Sequence, residues 1–336
     1  MKNNVYIIAE IGQAHEGSLG ILHSYIDALA NTGIDAIKFQ THIAEAESSE
    51  YEPFRVKFSY EDDTRYDYWK RMEFTLEQWK EIKSHCDDVG LEFLSSPFSN
   101  MSVDWLEEIG VEKYKIGSGE VNNFLMLEKI AKTGKDIILS SGMSSFAELD
   151  DTLAFLKPYG NHVSILQCTT KYPTQAQDIG LNVMNELRQR YELPVGLSDH
   201  SGTIYPSLAA VSQRAEILEF HVIFDKNMFG PDSKSSLTIE EIKQLVQGVR
   251  FIETSLCNSI NKEDNSQFKK LKEIFEKSLA INKDMKAGDT ISFDDLEAKK
   301  PFGYGISAKE YKKVLGKKIN KDISKWDFLN EEDINE

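Results

Sequence analysis

The chain has 336 residues, a hydrophobic content of 40% and a formal net charge of −16, enough apolar material for one large core and a small one. The acidic balance argues against nucleic acid or an anionic membrane as partner, and no apolar run is long enough to span a bilayer. Cys86, Cys168 and Cys257 fall at no metal or redox spacing and are too few for a disulfide framework. The opening Met1-Lys-Asn-Asn-Val-Tyr-Ile-Ile-Ala runs into a strand with no signal-peptide cleavage pattern, so the expectation is a reduced, cytoplasmic protein.

Taken in order, the chain alternates strand with helix. Short β-rich runs predict strands at 5–10, 36–40, 92–96, 113–116, 136–140, 162–168, 194–198 and 216–222. Helical runs lie between them at 19–31, 75–89, 101–109, 123–132, 145–157, 182–190, 205–214 and 238–254. Eight βα units in about 255 residues fit a closed (β/α)8 TIM barrel over 1–257 better than an open doubly wound sheet. No Gly-x-Gly-x-x-Gly follows the first strand, which weakens a dinucleotide site.

One connection is abnormally long. Residues 44–73 carry Tyr51, Phe54, Phe58, Tyr60, Tyr66, Tyr68 and Trp69 among charges, a content that suits a lid or a dimer contact better than an excursion packed on its own barrel. Residues 258–268 are polar and weakly patterned and read as a linker. The tail, 269–336, has the length of one small, turn-rich domain.

Parity within the strands points to the chemistry. Residues of one parity share a face, and on one face of each strand a polar group stands at or near the C-terminal end. In a barrel these ends open into one mouth, which would collect Glu10, Lys38, Gln40, Ser96, Lys115, Ser118, Glu120, Ser140, Tyr172, Ser198, His200 and His221. On the last strand Ile217, Glu219 and His221 share a side. Two strands in succession ending in His200 and His221 form a usable metal site; two unrelated histidines satisfied by backbone carbonyls meet the same pattern. Lys115-Ile-Gly-Ser-Gly-Glu offers backbone N–H groups, a hydroxyl and a charge, as an anion cradle would.

Nine motifs in order carry a resemblance. They are Glu10-Ile-Gly-Gln-Ala-His-Glu-Gly, Lys38-Phe-Gln-Thr-His, Ser96-Pro-Phe-Ser, Tyr114-Lys-Ile-Gly-Ser-Gly-Glu, Leu139-Ser-Ser-Gly-Met, Cys168-Thr-Thr-Lys-Tyr-Pro-Thr, Gly196-Leu-Ser-Asp-His, Phe220-His and Gly230-Pro-Asp. Together they resemble the sialic acid (N-acetylneuraminate) synthase family over nearly the whole chain, and the tail is similar to the antifreeze-like (SAF) domain of those synthases. The resemblance implies condensation of phosphoenolpyruvate with a 2-acetamido sugar aldehyde (N-acetylmannosamine or a 2,4-diacetamido-6-deoxy analogue) to a nine-carbon α-keto acid and phosphate. It also implies a divalent metal, Mn²⁺ first and Mg²⁺ or Co²⁺ as alternatives, held by His200 and His221. Phosphoenolpyruvate would meet Lys38, Ser96, Lys115, Ser118, Ser140, Tyr172 and Ser198. The sugar would meet Gln40, Glu120, Tyr172, Asp232 and, from a partner subunit in a domain-swapped homodimer, Lys300. Glu10 would act as acid/base or orient water. Two positions depart from the family pattern: Thr170 stands where Asn is common, and Lys300 where an arginine is usual. The competing readings are a metal-dependent barrel aldolase or lyase that does not use phosphoenolpyruvate, and a catalytically idle sugar-binding barrel.

Overall fold

The computed structural model describes residues 4–56, 58 and 60–335. Eight parallel strands alternate with helices: β1 (Tyr6–Glu10), β2 (Ala36–Thr41), β3 (Glu92–Pro97), β4 (Lys113–Ile116), β5 (Asp136–Ser140), β6 (Val163–Cys168), β7 (Val195–Asp199) and β8 (Ile217–Ile223). Each pairs with the next, and β1 also pairs with β8, so the sheet closes into a barrel. A short β9 (Ser236–Thr238), absent from the predicted strands, adds beside β8; three residues are too few to show a period. Around the barrel run α1 (Leu19–Leu29), α2 (Ala44–Glu47), α3 (Arg65–Met72), α4 (Leu76–Asp88), α5 (Asn100–Ile109), α6 (Phe124–Ala131), α7 (Phe146–Leu156), α8 (Leu181–Tyr191), α9 (Tyr205–Ser212) and α10 (Ile239–Cys257).

The helices start where a side chain satisfies their first free N–H groups. Ser18, Thr75, Ser99, Asn123, Ser145 and Thr238 each accept from the backbone of the first turn, worth about 0.5–2 kcal/mol apiece. Their inward stripes recur at helical spacing: Leu22, Tyr25, Ile26 and Leu29 on α1, and Ile242, Leu245, Val246 and Val249 on α10. These pack on the outward parity of the strands, such as Ile7, Ile37, Phe39, Phe93, Tyr114, Leu139, Leu197 and Phe220, as one continuous core.

The inward parity forms layers. Ile8, Ala36, Leu94, Ile138, Leu166 and Ile217 make a separate apolar floor inside the barrel. Gly196 belongs at that level because the space is full: a Cβ there would lie 2.2 Å from the Ile217 carbonyl oxygen and 2.7 Å from Leu166. Two residues further along each strand the inward face turns polar, with Glu10, Lys38, Ser96, Ser140, Cys168, Ser198 and Glu219 in the same order. The floor closes the barrel below this layer, so its groups face the C-terminal mouth.

The 44–73 connection is folded. Tyr68, Trp69 and Met72 on α3 bury themselves with Ala44, and Phe54, Phe58 and Tyr66 pack against them. Thr64 caps α3 by accepting from Asp67 N. The segment therefore packs on its own small core, and it also supplies a wall of the cavity described below.

The chain divides into two units, Met1–Asn258 and Ser259–Glu336. In the second, a 3-10 turn (Ser266–Phe268) leads into α11 (Lys269–Phe275), and β10 (Ser278–Ile281) pairs antiparallel with β11 (Leu296–Lys299). Its core is Leu279, Ile281, Met285, Ile291, Ile306, Val314, Ile319, Ile323 and Leu329. This unit is internally duplicated. Residues 282–296 recur as 320–334, from Asn282-Lys283-Asp284 matched by Asn320-Lys321-Asp322 to Asp295-Leu296 matched by Asp333-Ile334. The bonding repeats with them. Asn282 and Asn320 donate from Nδ2 to the carbonyls of Asp294 and Glu332, at 2.7 and 2.6 Å. Met285 and Ile323 exchange backbone bonds with each other at 2.9 and 3.0 Å. That reciprocal pair marks a local two-fold relation between the halves.

Candidate active site

Strand register builds the site. Glu10 stands between Lys38 on β2 and His221 on β8, so three buried ionisable groups meet across adjacent strands. Lys38 Nζ donates to Glu10 Oε1 at 2.5 Å and to Ser96 Oγ at 3.4 Å. Gln40 Nε2 donates to the same Glu10 oxygen at 2.6 Å, and His221 Nε2 lies 3.3 Å from Glu10 Oε2. Lys115 Nζ donates to Ser140 Oγ at 2.7 Å. Glu219 ties the two lysines together: Oε1 is 3.4 Å from Lys115 Nζ and Oε2 is 3.8 Å from Lys38 Nζ, while Ser198 Oγ donates to Oε1 at 2.8 Å.

Charge at the floor is thereby balanced. Burial works to raise the Glu10 carboxyl, but the Lys38 ammonium, the His221 imidazole and the bonds from Lys38 and Gln40 hold it well below the ordinary carboxylate range. For Lys38 burial works downward, yet Glu10 and Glu219 keep its pKa above the usual value. Lys115 is pushed down, by burial first, and Lys38 adds to that while Glu219 opposes it.

His200 and His221 have ring centroids 5.2 Å apart. The His200 Nδ1 lies 3.1 Å from the Thr169 carbonyl oxygen, which can only accept. The Nδ1–H tautomer follows, leaving the Nε2 lone pair toward the cavity, where it takes the Tyr172 hydroxyl at 3.1 Å. His221 Nδ1 faces Asp232 Oδ2 at 3.9 Å. These imidazoles fit a metal that keeps other positions for water or substrate; among the described residues no group of three or more His, Cys, Asp or Glu is placed to hold one.

Thirteen of the fourteen expected site residues line one cavity of about 370 Å³. Ser118 is there, its Oγ 3.6 Å from Cys168 Sγ, as is Glu120, which accepts from Asn123 at 2.8 Å and whose pKa burial pushes up. Lys300 is the exception: it lies in the second unit, its ammonium 4.7 Å from the Phe275 ring centroid.

The glycines of Lys115-Ile-Gly-Ser-Gly-Glu are not needed for a strained turn. Gly117 is extended at φ −68°, and a Cβ there would meet nothing within 4 Å. Behind Ser118 the packing is tight: a Cβ on Gly142 would collide with Ser118 Oγ at 2.3 Å and Thr170 Oγ1 at 2.5 Å. Gly117 and Gly119 leave their stretch of the cavity wall without side chains, and Gly142 makes room for Ser118 and Thr170. Thr170 Oγ1 is buried without a hydrogen-bond partner among the described residues, an unused polar group on the cavity wall that an anion would satisfy.

Sequence reasoning missed several lining residues. Gln13 donates to Gln40 at 2.7 Å and contacts His42, which is bound to Glu47 at 2.6 Å and stacked between Trp69 and Phe98. Both lie inside motifs already singled out, so their position was a usable signal. Arg55 and Arg65, from the 44–73 segment, carry no motif or period and had none.

The model of the NeuB family matches residues 25–261, and that of the SAF domain matches 276–334. The chain is 37% identical to an N,N'-diacetyllegionaminic acid synthase of Campylobacter jejuni over 97% of this chain and 98% of that one. It is 33% identical to the N-acetylneuraminate-9-phosphate synthase of Mus musculus over 99% and 93%. The structure of an N-acetylneuraminic acid synthetase from Leptospira borgpetersenii superposes with a TM-score of 0.71 at 31% identity, covering 80% of this chain and 90% of that one.

Proposed function

Because the chain belongs to the NeuB family, we propose that it condenses phosphoenolpyruvate with a 2-acetamido sugar aldehyde to give a nonulosonic acid and phosphate. It is an enzyme of the nonulosonic acid synthase class. The observation that carries the reading is the pair of buried, carboxylate-balanced lysines, Lys38 and Lys115, on the floor of a cavity with two imidazoles at its wall. Phosphoenolpyruvate is small and highly anionic, and those cations with Ser96, Ser118, Ser140, Ser198 and Thr170 suit its phosphate and carboxylate. The sugar would lie toward Gln40, Glu120, Tyr172 and Asp232.

His200 and His221 would hold a divalent metal, Mn²⁺ by family resemblance. When bound it would supply Lewis-acid polarisation of the aldehyde oxygen. The chain's own residues do the rest. The lysines fix phosphoenolpyruvate so that its C3 faces the aldehyde carbon. Glu10, held ionised by Lys38, orients the water whose oxygen adds at C2 and takes its proton. The adduct then loses phosphate by breaking the C2–O bond, leaving the keto group. Phosphoenolpyruvate carrying ¹⁸O in the bridging position tests this: the label leaves in phosphate, whereas label retained in the keto acid refutes C–O cleavage. Mass spectrometry of the product from a panel of 2-acetamido sugars identifies the partner substrate.

A two-fold homodimer in which the second unit covers a partner's barrel mouth completes the proposal. The support is α11, which buries no side chain and leaves Leu271, Ile274 and Phe275 about half exposed beside Phe302 and Tyr304. Among the described residues no helix is long and apolar enough to cross a membrane; Cys86, Cys168 and Cys257 are all free thiols, in keeping with work in the cytoplasm.

A further inference from the structure

Beyond the expected site residues, the cavity holds a cation in a distinctive position. Arg55 comes from the 44–73 segment, and its guanidinium carbon lies 4.2 Å from the centroid of the Tyr172 ring. Nη2 of the same group donates to Asp232 Oδ1 at 3.0 Å. Tyr172 in turn bonds His200, and Asp232 faces His221. The guanidinium is thus one side chain removed from each imidazole, while the floor lysines are committed to Glu10, Glu219 and Ser140.

We propose that Arg55 is a specificity-determining residue of the sugar site, donating to the carbonyl oxygen of the acetamido group on the carbon next to the aldehyde. The assignment rests on the condensation reading of this cavity. With the aldehyde oxygen at the imidazoles, the substituent facing Tyr172 and Asp232 is the one on the adjacent carbon. An amide carbonyl there is a strong, neutral acceptor at the edge of a guanidinium whose plane the Tyr172 face and the Asp232 carboxylate both fix. Among the described residues Arg55 makes one hydrogen bond, to Asp232, so the fork keeps donors for a ligand. Phosphoenolpyruvate is a poorer occupant of this end, because the Asp232 carboxylate stands there and repels a phosphate.

The test compares the wild type with Arg55→Met and Arg55→Lys as full chains. Phosphate release is measured at saturating phosphoenolpyruvate with N-acetylmannosamine and with mannose, which carries a hydroxyl at that carbon. Arg55→Met should lower kcat/KM for the acetamido sugar by about ten- to hundredfold, the range of one charge-assisted bond. Mannose should change little, so the preference between the two sugars collapses, and the KM for phosphoenolpyruvate should hold. Arg55→Lys should fall between, since it keeps the charge and loses the planar fork. Equal losses on both sugars, or a parallel rise in the phosphoenolpyruvate KM, would overturn the assignment. Calorimetry with N-acetylmannosaminitol, the reduced and unreactive sugar, reads the contact without turnover. If the wild type releases no phosphate with any sugar, the condensation reading fails; weaker binding of this alcohol to Arg55→Met would still support the acetamido contact, and equal binding would sink it.

Discussion

Lys38 and Lys115 point into the same cavity, but their pKa values are pushed in opposite directions by their surroundings. Glu10 and Glu219 raise the Lys38 pKa against burial, whereas for Lys115 burial first and the neighbouring Lys38 lower it against the same two carboxylates, of which only Glu219 is an ion-pair partner. Lys38→Met and Lys115→Met should each lower kcat/KM for phosphoenolpyruvate about ten- to hundredfold, the worth of roughly 1.5–3 kcal/mol for a charge-assisted bond. Only Lys115 should also shape the pH profile. Its ammonium is needed to hold an anion and its pKa is depressed, so binding is lost as pH rises, and sooner than an ordinary lysine would allow. The alkaline limb of kcat/KM for phosphoenolpyruvate should disappear in Lys115→Met; an unchanged limb would refute the role. His200→Ala and His221→Ala should each abolish turnover and metal uptake with the unfolding midpoint retained, and full metal content at normal rate would remove both from the metal site. The lysines and histidines were legible because each stands at a strand end on the inward parity. Glu219 shared that parity with His221 and went unassigned, because nothing in a strand pattern says which lysine a carboxylate will meet across a closed barrel.

At the scale of elements, the strands were legible nearly to the residue, since runs such as Asp136–Ser140 are short, β-rich and bounded by turns or charges. The 44–73 segment was legible only as unusual. Its helices, Ala44–Glu47 and Arg65–Met72, are too short and too charged for a period to emerge. In the tail, a readable signal was overlooked: the recurrence of 282–296 at 320–334 lies in plain sequence but is masked by substitutions such as Gly288 to Trp326, both at positive φ of 94° and 76°. The duplication makes a testable claim about acid stability. Asp295 takes bonds from the backbone N–H and hydroxyl of Ser292 and pairs with Lys283; Asp333 does the same with Asn330 N–H and Lys321. Burial works to raise each carboxyl, but these partners hold both below the ordinary range. A depressed carboxylate stabilises the fold above its unfolded value near pH 4 and loses that contribution as pH falls through the folded value. Asp295→Asn and Asp333→Asn should therefore cost about 0.5–2 kcal/mol each near neutral pH, and the gap to the parent chain in denaturant unfolding should close on acidification. A gap that persists unchanged below pH 3 would show that the carboxylate charge plays no part.

At the scale of the whole molecule, the question is what closes the mouth of the barrel. A metal, a phosphate and a reactive adduct need shelter from bulk water. The 44–73 segment supplies part of it, with Arg55, Arg65 and Trp69 among the lining residues, and the proposal assigns the remainder to the second unit of a partner chain. Residues 258–265, ahead of the 3-10 turn at Ser266–Phe268, at up to about 3.3 Å each when extended, give the connection enough reach for exchange between subunits. Lys300 of the exchanged unit would then complete the sugar site of the partner's barrel. Two individually inactive chains decide the matter: a full-length His200→Ala variant, with a defective barrel and an intact tail, and a chain ending at Asn258, with a sound barrel and no tail. In a mixed dimer the tail of the first reaches the barrel of the second, so activity should return in proportion to the heterodimer measured by native mass spectrometry. A second mixture, with Lys300→Ala added to the His200→Ala chain, should restore markedly less sugar-dependent activity at the same heterodimer content, because the only tail present then lacks that ammonium. Full activity of the truncated chain alone would remove the tail from the site altogether. Heterodimer without recovered activity would leave the tail as a dimerisation element and require each barrel to be covered by its own chain.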